Sequence, residues 1–273
     1  MRSVIVEVAI ADESPDRTIE QGEIVVLTGG GVFAEVVINE LIARFGHLTV
    51  VQEEPEPLAD IFKRWVKLRG WPRAIGQMAF GPFQKLAALR AKARRREILL
   101  QAALDATPNT SVARFHVPNV NSEACRDALT DLEPRVVVVV GTRMIRRATL
   151  TCIDVPFINY HAGLNPGYRG QYGGYWALAS GDPEHAGVTV HLIDEGVDTG
   201  ALLYAAKFQP TVRDTVAIYH YLQVVAAVPL IIRAVGDALA CRLVPQKADG
   251  PSKQWFHPTV AQYLANGLRR GVW

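Results

Sequence analysis

Two stretches of this chain hold side chains whose types and spacing could do chemistry. In Ile158-Asn159-Tyr160-His161-Ala162-Gly163, an amide and an imidazole stand two positions apart at the end of a short apolar run. On a strand, that spacing puts both side chains on one face. An amide N–H can stabilise a developing oxyanion and an imidazole can move a proton, so the pair suits acyl-type transfer. It equally suits a buried Asn and His that satisfy loop backbone. Further on, the run from Gly187 to His191 leads into the acidic loop Asp194-Glu195-Gly196-Val197-Asp198-Thr199-Gly200. His161, His191, Asp194 and Asp198 could be read as metal ligands. Loop Asp-Gly pairs are mostly turns, however, and the chain has no H-E-x-x-H, EF-hand loop or cysteine cluster, so no metal is expected. Nor does it contain G-x-S-x-G or a G-K-[ST] after its glycines, which argues against a serine-hydrolase elbow and a P-loop.

A third candidate is Gly29-Gly30-Gly31-Val32-Phe33-Ala34, which fits G-x-G-x-x-A between a strand-like run and a helix-like one. Glu53 and Glu54 close the next strand-like run, the layout of a dinucleotide site. The physics beneath is more general: glycines let backbone approach an anion, and a helix N-terminus presents free N–H groups to it. The turn is therefore readable as an NAD site, as the site of an acceptor's phosphate, or as a tight turn.

The elements that would position these residues follow from periodicity. Residues 23–27 form a β-branched run, 32–45 have apolar residues near helical spacing, and 48–51 read as a second strand, together a βαβ unit with a parallel sheet. Strands are expected at 112–115, 136–140, 156–160, 187–193 and 201–208; the five valines of 136–140 suit a strand buried on both faces. A helix is expected over 121–132, capped by Asn121 or Ser122, and a long apolar helix over 214–239 with a break near Pro229. Residues 60–105 are rich in Lys and Arg and read as an inserted helical arm with a solvated basic face. The expected architecture is α/β: a Rossmann-like, mostly parallel sheet flanked by helices over residues 21–208, with a short extension at 1–20 and a helical C-terminal extension at 209–273.

Taken in order, Asn-x-His, Leu-x-Pro-x-Tyr-Arg-Gly, Trp176-Ala177-Leu178, Gly181-Asp182, Gly187-Val-Thr-Val-His191 and Asp-Glu-Gly-Val-Asp198-Thr-Gly resemble the folate-dependent formyltransferase family. That family includes glycinamide ribonucleotide, methionyl-tRNA and sugar-amine N-formyltransferases. The strong resemblance covers roughly residues 135–205. It implies a catalytic trio of Asn159, His161 and Asp198, with N10-formyltetrahydrofolate as co-substrate and a primary amine as acceptor. Asn159 and a protonated His161 would face the oxyanion, and Asp198 would orient His161 and raise its pKa. The resemblance places the folate against Thr142, Arg143, Met144, Ile145 and Arg146 and against Asp194, Glu195, Gly196 and Val197. Acceptor contacts are assigned to Gly29, Gly30, Gly31, Tyr168, Arg169, Gln171 and Tyr172. One departure is the run Ala162-Gly163-Leu164-Asn165-Pro166 after the His, where the family often has Ser-Leu-Leu-Pro, so that the Ser is missing.

Composition bounds the remaining readings. At 273 residues the chain has length for one large domain or two small ones, and 49% apolar with 21% charged residues is ordinary globular usage. The net charge of +2 supplies no global field for nucleic acid. Three scattered cysteines suit neither a disulfide framework nor a zinc ribbon and point to a reduced compartment. With no signal-type apolar stretch and no uninterrupted 18-residue apolar run, a cytoplasmic protein without a membrane span is expected. Methionyl-tRNA formyltransferases carry a C-terminal β-barrel, and the segment after Asp198 reads as mostly helical. The acceptor expected is therefore a small phosphorylated or nucleotide-linked amine, with an amino sugar as first choice. An NAD-dependent oxidoreductase, a non-catalytic folate-binding protein and a related one-carbon or amidino transferase are the competing classes. Homo-oligomerisation is left open.

Overall fold

The computed structural model describes residues 23–273; the extension read at 1–20 lies outside the described residues. In chain order the elements are β1 (Ile24–Thr28), α1 (Val32–Phe45), β2 (Thr49–Glu53), α2 (Leu58–Arg69), α3 (Trp71–Arg90), α4 (Lys92–Gln101), β3 (Arg114–Val117), α5 (Glu123–Leu132), β4 (Val136–Val140), α6 (Arg147–Leu150), β5 (Phe157–His161), β6 (Arg169–Gly170), α7 (Gly173–Ala179), β7 (Gly187–Leu192), β8 (Leu202–Lys207), α8 (Val216–Leu239), β9 (Gln254–Trp255) and α9 (Val260–Arg270). Seven strands make one sheet in the order β3-β2-β1-β4-β5-β7-β8. The first five pair in parallel, whereas β7 runs antiparallel to both its neighbours, β5 and β8. The order reverses between β1 and β4, and in open α/β sheets ligands bind outside the carboxyl ends of strands at such a point.

Alternation along the strands builds two cores. Ile24, Val26, Val136, Val138, Ile158, Val188 and Val190 face α1 and α8, while Val25, Leu27, Val137, Val139 and Phe157 face the layer of α5. The valine run of β4 is buried throughout because helices cover both faces. Ser122 caps α5 by accepting from the Cys125 N–H. α8 continues through Pro229 as one helix of 24 residues instead of breaking there. By length and composition alone it could cross a membrane, but half of its most apolar window is buried, packed on β7, β8 and α1.

The basic segment differs from the solvated arm its composition suggests. α3 and α4 pack on α8, and α3 also meets α9, with Phe80 fully buried in an aromatic cluster beside Tyr175 and Tyr263. Arg94 is bound to the buried carboxylate of Asp214 at 2.8 Å, and Arg95 donates to the Ala217 carbonyl and lies over the Tyr221 ring. Basic residues thus fasten the segment to the body as well as facing water.

The Asp214 carboxylate also accepts from the Thr211 N–H and hydroxyl, so its removal costs Arg94 its buried partner, leaving it Glu97 at 3.0 Å, and leaves the Thr211 donors without that acceptor. Asp214→Ala is expected to cost roughly 3 kcal/mol, the scale for breaking a buried pair. Lys63→Ala, which loses an exposed pair with Asp60, is expected to cost well under 1 kcal/mol. Urea unfolding of both variants checks the contrast.

Candidate active site

β5 ends at the carboxyl edge of the sheet, beside β4 and one strand from the reversal point, and its last residues include Asn159 and His161. Antiparallel β7 lies against it with Asn159 opposite His191 and His161 opposite Thr189. Directly opposed residues have neighbouring side chains, so the pairing brings His191 into the cluster. Asn159 Nδ2 lies 3.1 Å from His191 Nε2 and 3.4 Å from Asp198 Oδ1. His191 Nδ1 donates to the Leu192 carbonyl at 2.7 Å, and its Nε2 lies 3.1 Å from Asn159 Nδ2 and 3.5 Å from Asp198 Oδ1. His161 Nδ1 stands 3.3 Å from Asp198 Oδ2, and its Nε2 donates to the Tyr168 carbonyl at 2.8 Å.

Asp198 reaches this cluster from a loop, and the loop is tied down at several points. The residue adopts a left-handed conformation, φ 50°, which Asp tolerates better than most residues. The Asn165 amide donates to its carbonyl at 2.9 Å, the Gly170 N–H donates to its Oδ2 at 2.9 Å, and Arg169 holds the preceding Val197 carbonyl. Asp194 closes the loop internally by accepting from the Gly196 N–H and the Thr199 hydroxyl. On the His161 side, Gly163 permits a close approach: a Cβ there would stand 2.7 Å from His161 Nε2 and 2.2 Å from the Tyr168 carbonyl. Buried Gln223 donates to the Ala162 carbonyl and steadies the same turn from α8.

Burial sets the protonation states. His161 is only 6% exposed. Desolvation brings its pKa below the ordinary imidazole value, and the charge of Asp198 and the Tyr168 carbonyl offset this only in part. Both ring nitrogens face acceptors, Nε2 the Tyr168 carbonyl and Nδ1 the Asp198 carboxylate, so geometry offers a proton a partner at either nitrogen while burial works against the charged ring. Burial of Asp198 works to raise its pKa, but the His161 and His191 imidazoles and the Gly170 N–H outweigh it and hold the carboxyl at about 2. The trio is thus a fixed anion beside an imidazole whose charged form burial disfavours and the anion favours.

A cleft of about 1430 Å³ opens over this cluster. Its lining takes in Thr142, Arg143, Met144, Ile145, Arg146, Asp194, Gly196 and Val197, together with Asn159, His161, His191 and Asp198. Glu195 is not part of it and lies 3.6 Å from Arg147 instead. The Arg143 guanidinium is engaged by Glu53, the Pro118 carbonyl and the Glu54 carbonyl, so that side chain fastens loops. Arg146 is exposed and has no ion pair among the described residues.

The residues expected to contact an acceptor divide. Gly29 and Gln171 line the cleft, whereas Gly30 and Gly31 do not. The first turn of α1 also carries the buried Glu35 carboxylate, paired with Arg114, which disfavours a phosphate there. Tyr168 is corrected: its ring is buried, stacked near Trp255 with its hydroxyl on Asp182, and only its carbonyl serves the site. The Tyr172 hydroxyl is bound to Gln84, and Arg169 lines a separate cavity of about 430 Å³ beyond Asp198. The dinucleotide layout also fails on geometry. Glu53, the acid that would meet a ribose, is 4% exposed and accepts from Val120 N–H and Arg143. Among the described residues no group of three or more His, Cys, Asp or Glu is arranged to hold a metal ion.

Comparison with known proteins agrees with this geometry. The sequence profile of the formyl transferase family matches residues 86–224, just over half of the chain. The chain belongs to that family. Methionyl-tRNA formyltransferase of Pelotomaculum thermopropionicum is 36% identical over 123 residues, 44% of this chain and 39% of that protein. The chain thus spans about two fifths of the length of that curated relative. Among solved structures, a sugar N-formyltransferase from Shewanella sp. FDAARGOS_354 superposes with a TM-score of 0.52 at 14% identity, covering 85% of this chain and 76% of that one. An N-formyltransferase from Helicobacter canadensis in complex with folinic acid and dTDP-3-aminofucose gives 0.51 at 11% identity, covering 85% and 70%. At such identities the structural likeness establishes the fold.

Sequence reasoning placed His191 only in a metal reading, although strand alternation combined with the β5–β7 pairing would have delivered it to Asn159. Gln223 and Gly163 left no chemical signal, because their part is to pack.

Two outcomes follow from the charges. Asp198→Asn removes the charge that offsets burial, so the His161 titration followed by NMR is expected to move further down; an upward move contradicts the assignment. Burial also lowers His220 and His257, each to about 4, with nearby imidazoles adding to the effect. The unfolded chain takes up these protons as pH falls through roughly 6.5, while the folded chain resists until near 4. Stability is expected to hold above pH 7 and to decline as pH falls from 6.5 to 4.5, read as urea midpoints. The Asp198 contribution, present above the unfolded carboxylate pKa, is lost only as pH falls further.

Proposed function

We propose that this chain is an N-formyltransferase that moves a formyl group from N10-formyltetrahydrofolate to the primary amine of a small phosphorylated or nucleotide-linked acceptor, an amino sugar by preference. The observation that carries this reading is the cluster of buried His161 with half-buried Asn159 and Asp198 at the carboxyl end of β5, in a member of the formyl transferase family. The cleft suits the co-substrate chemically. Val139, Ile145 and Ile193 offer an apolar bed for a flat ring, and residues 142–144 and 194–197 offer backbone polar groups for its edge. The Helicobacter canadensis enzyme, with folinic acid and a nucleotide-linked amino sugar in one structure, supports the same pairing of ligand classes.

When bound, the co-substrate supplies the carbonyl that the amine attacks. The work of the chain is to orient, to stabilise charge and to move one proton. Asn159 Nδ2 holds Asp198 through the longer of its two contacts, so that hydrogen is the one available to a developing oxyanion. His161 accepts the proton that the amine sheds at Nδ1, and the fixed carboxylate of Asp198 stabilises the imidazolium formed there. The proton then passes to the departing folate nitrogen, which returns His161 to its neutral state. Arg146, without an ion pair among the described residues, is available to an anionic group of either ligand.

A second reading, with the amine carried on a tRNA, is supported by the methionyl-tRNA formyltransferase relative and by one surface. Lys67, Lys85, Arg90, Lys92 and Arg96 on α2–α4 are exposed and without an ion pair among the described residues. Incubating the chain with 10-formyltetrahydrofolate and a panel of nucleotide-linked amino sugars, phosphorylated amines and methionyl-tRNA separates the two. The product gains the mass of one carbonyl group. Asn159→Ala and His161→Ala are each expected to lower turnover roughly 100-fold or more, the scale for a lost positioned group. Turnover near that of the unaltered chain in either variant removes this mechanism.

A further inference from the structure

One wall of the cleft has no part in the assignments above. It is the helix α2, which lies outside the segment matched by the family profile and whose packing is chiefly on α3. None of its residues is buried. It is bounded by Pro57 at its start and by Gly70, φ 78°, at its end. Asp60, Arg64, Trp65 and Leu68 line the cleft from it, a spacing that makes one helical stripe. Charge on this stripe is already paired: Arg64 is held by both oxygens of Glu56, and Asp60 meets Lys63. What the stripe leaves uncommitted is the half-buried indole of Trp65. Its ring touches His257 at 4.9 Å, and its N–H has no partner among the described residues. Phe256 lines the same side of the cleft, held against α2 by the Arg69 guanidinium 4.2 Å over its ring.

The cleft is also larger than one ligand needs. Sites for single small molecules run to about 300–1000 Å³, against about 1430 Å³ here. The folate reading occupies the ends of β4 and the acidic loop, which leaves the half walled by α2 and the Trp255–Phe256 segment for the second substrate. We propose that Trp65 is the stacking platform for a planar, nucleobase-type ring on the acceptor, so that α2 selects acceptors by their aromatic end while Asn159, His161 and Asp198 act on the amine. Base stacking on an aromatic side chain tolerates any base, so the platform demands a ring and leaves its identity to other contacts. This inference rests on the two-substrate reading of the cleft given above.

The test uses the full chain, with dTDP, UDP, inorganic pyrophosphate and folinic acid as probes in separate titrations by calorimetry. Both nucleoside diphosphates are expected to bind more tightly than pyrophosphate. Trp65→Ala is expected to weaken them about tenfold or more, within the range of one lost base–aromatic stack, whereas Trp65→Phe retains most of the affinity. Pyrophosphate and folinic acid are expected to bind both variants as they bind the unaltered chain. Trp65 stands on a helix with no buried residue, and unaltered folinic acid binding reports that each variant is folded. Equal nucleotide affinity in Trp65→Ala and the unaltered chain overturns the proposal. So does loss of folinic acid affinity in a variant that unfolds at the same urea midpoint, because α2 would then belong to the co-substrate half. Nucleotides that fail to bind while folinic acid binds overturn the platform and leave the formyl-transfer reading standing. Failure of folinic acid to bind the unaltered chain strikes that reading itself.

Discussion

The site depends on one buried carboxylate. Asp198 is held ionised against its own desolvation by two imidazoles and a backbone N–H, and it gathers segments far apart in sequence: β5 through Asn159 and His161, β7 through His191, and β6 through Gly170. A buried charge without such partners would be expelled or neutralised. With them it works as a clasp, and the geometry of the whole cluster follows from keeping it satisfied. The left-handed backbone at Asp198, the Asn165 amide on its carbonyl and the Arg169 guanidinium on Val197 all aim that carboxylate inward.

The sheet makes the clasp reachable. Parallel strands bring the ends of β1, β4 and β5 to one edge, and the reversal of strand order leaves a crevice beside them. Antiparallel β7 is the departure from a simple doubly wound sheet, and it is what delivers His191 next to Asn159. At the crevice the polypeptide must come close to itself: a Cβ on Gly29 would stand 2.6 Å from the Gly141 carbonyl. The glycine turn is thus explained first by strand-end packing, with Glu53 clamping the loop after β4.

His161 shows how burial and charge divide a task. Desolvation disfavours the charged ring, and the adjacent Asp198 carboxylate favours it. A permanently protonated His161 could donate to an oxyanion but could not receive a proton from the amine.

Much of this was legible in the residues themselves. Periodicity showed the βαβ start, the buried valine strand and the long apolar helix, because side-chain alternation and helical spacing are local properties. Asn159, His161 and Asp198 were legible because their motifs carry family-specific spacing. The sequence alone could not show that Tyr168 turns its ring inward and offers only its carbonyl, that Glu53 is consumed by Arg143, or that the basic segment packs through Phe80, Arg94 and Arg95. Each of these depends on which distant residue arrives opposite, and so does the pKa of His161, which is set by how much water the assembled turn excludes. Local chemistry determined which groups are present; tertiary packing decided which of them remain free to act.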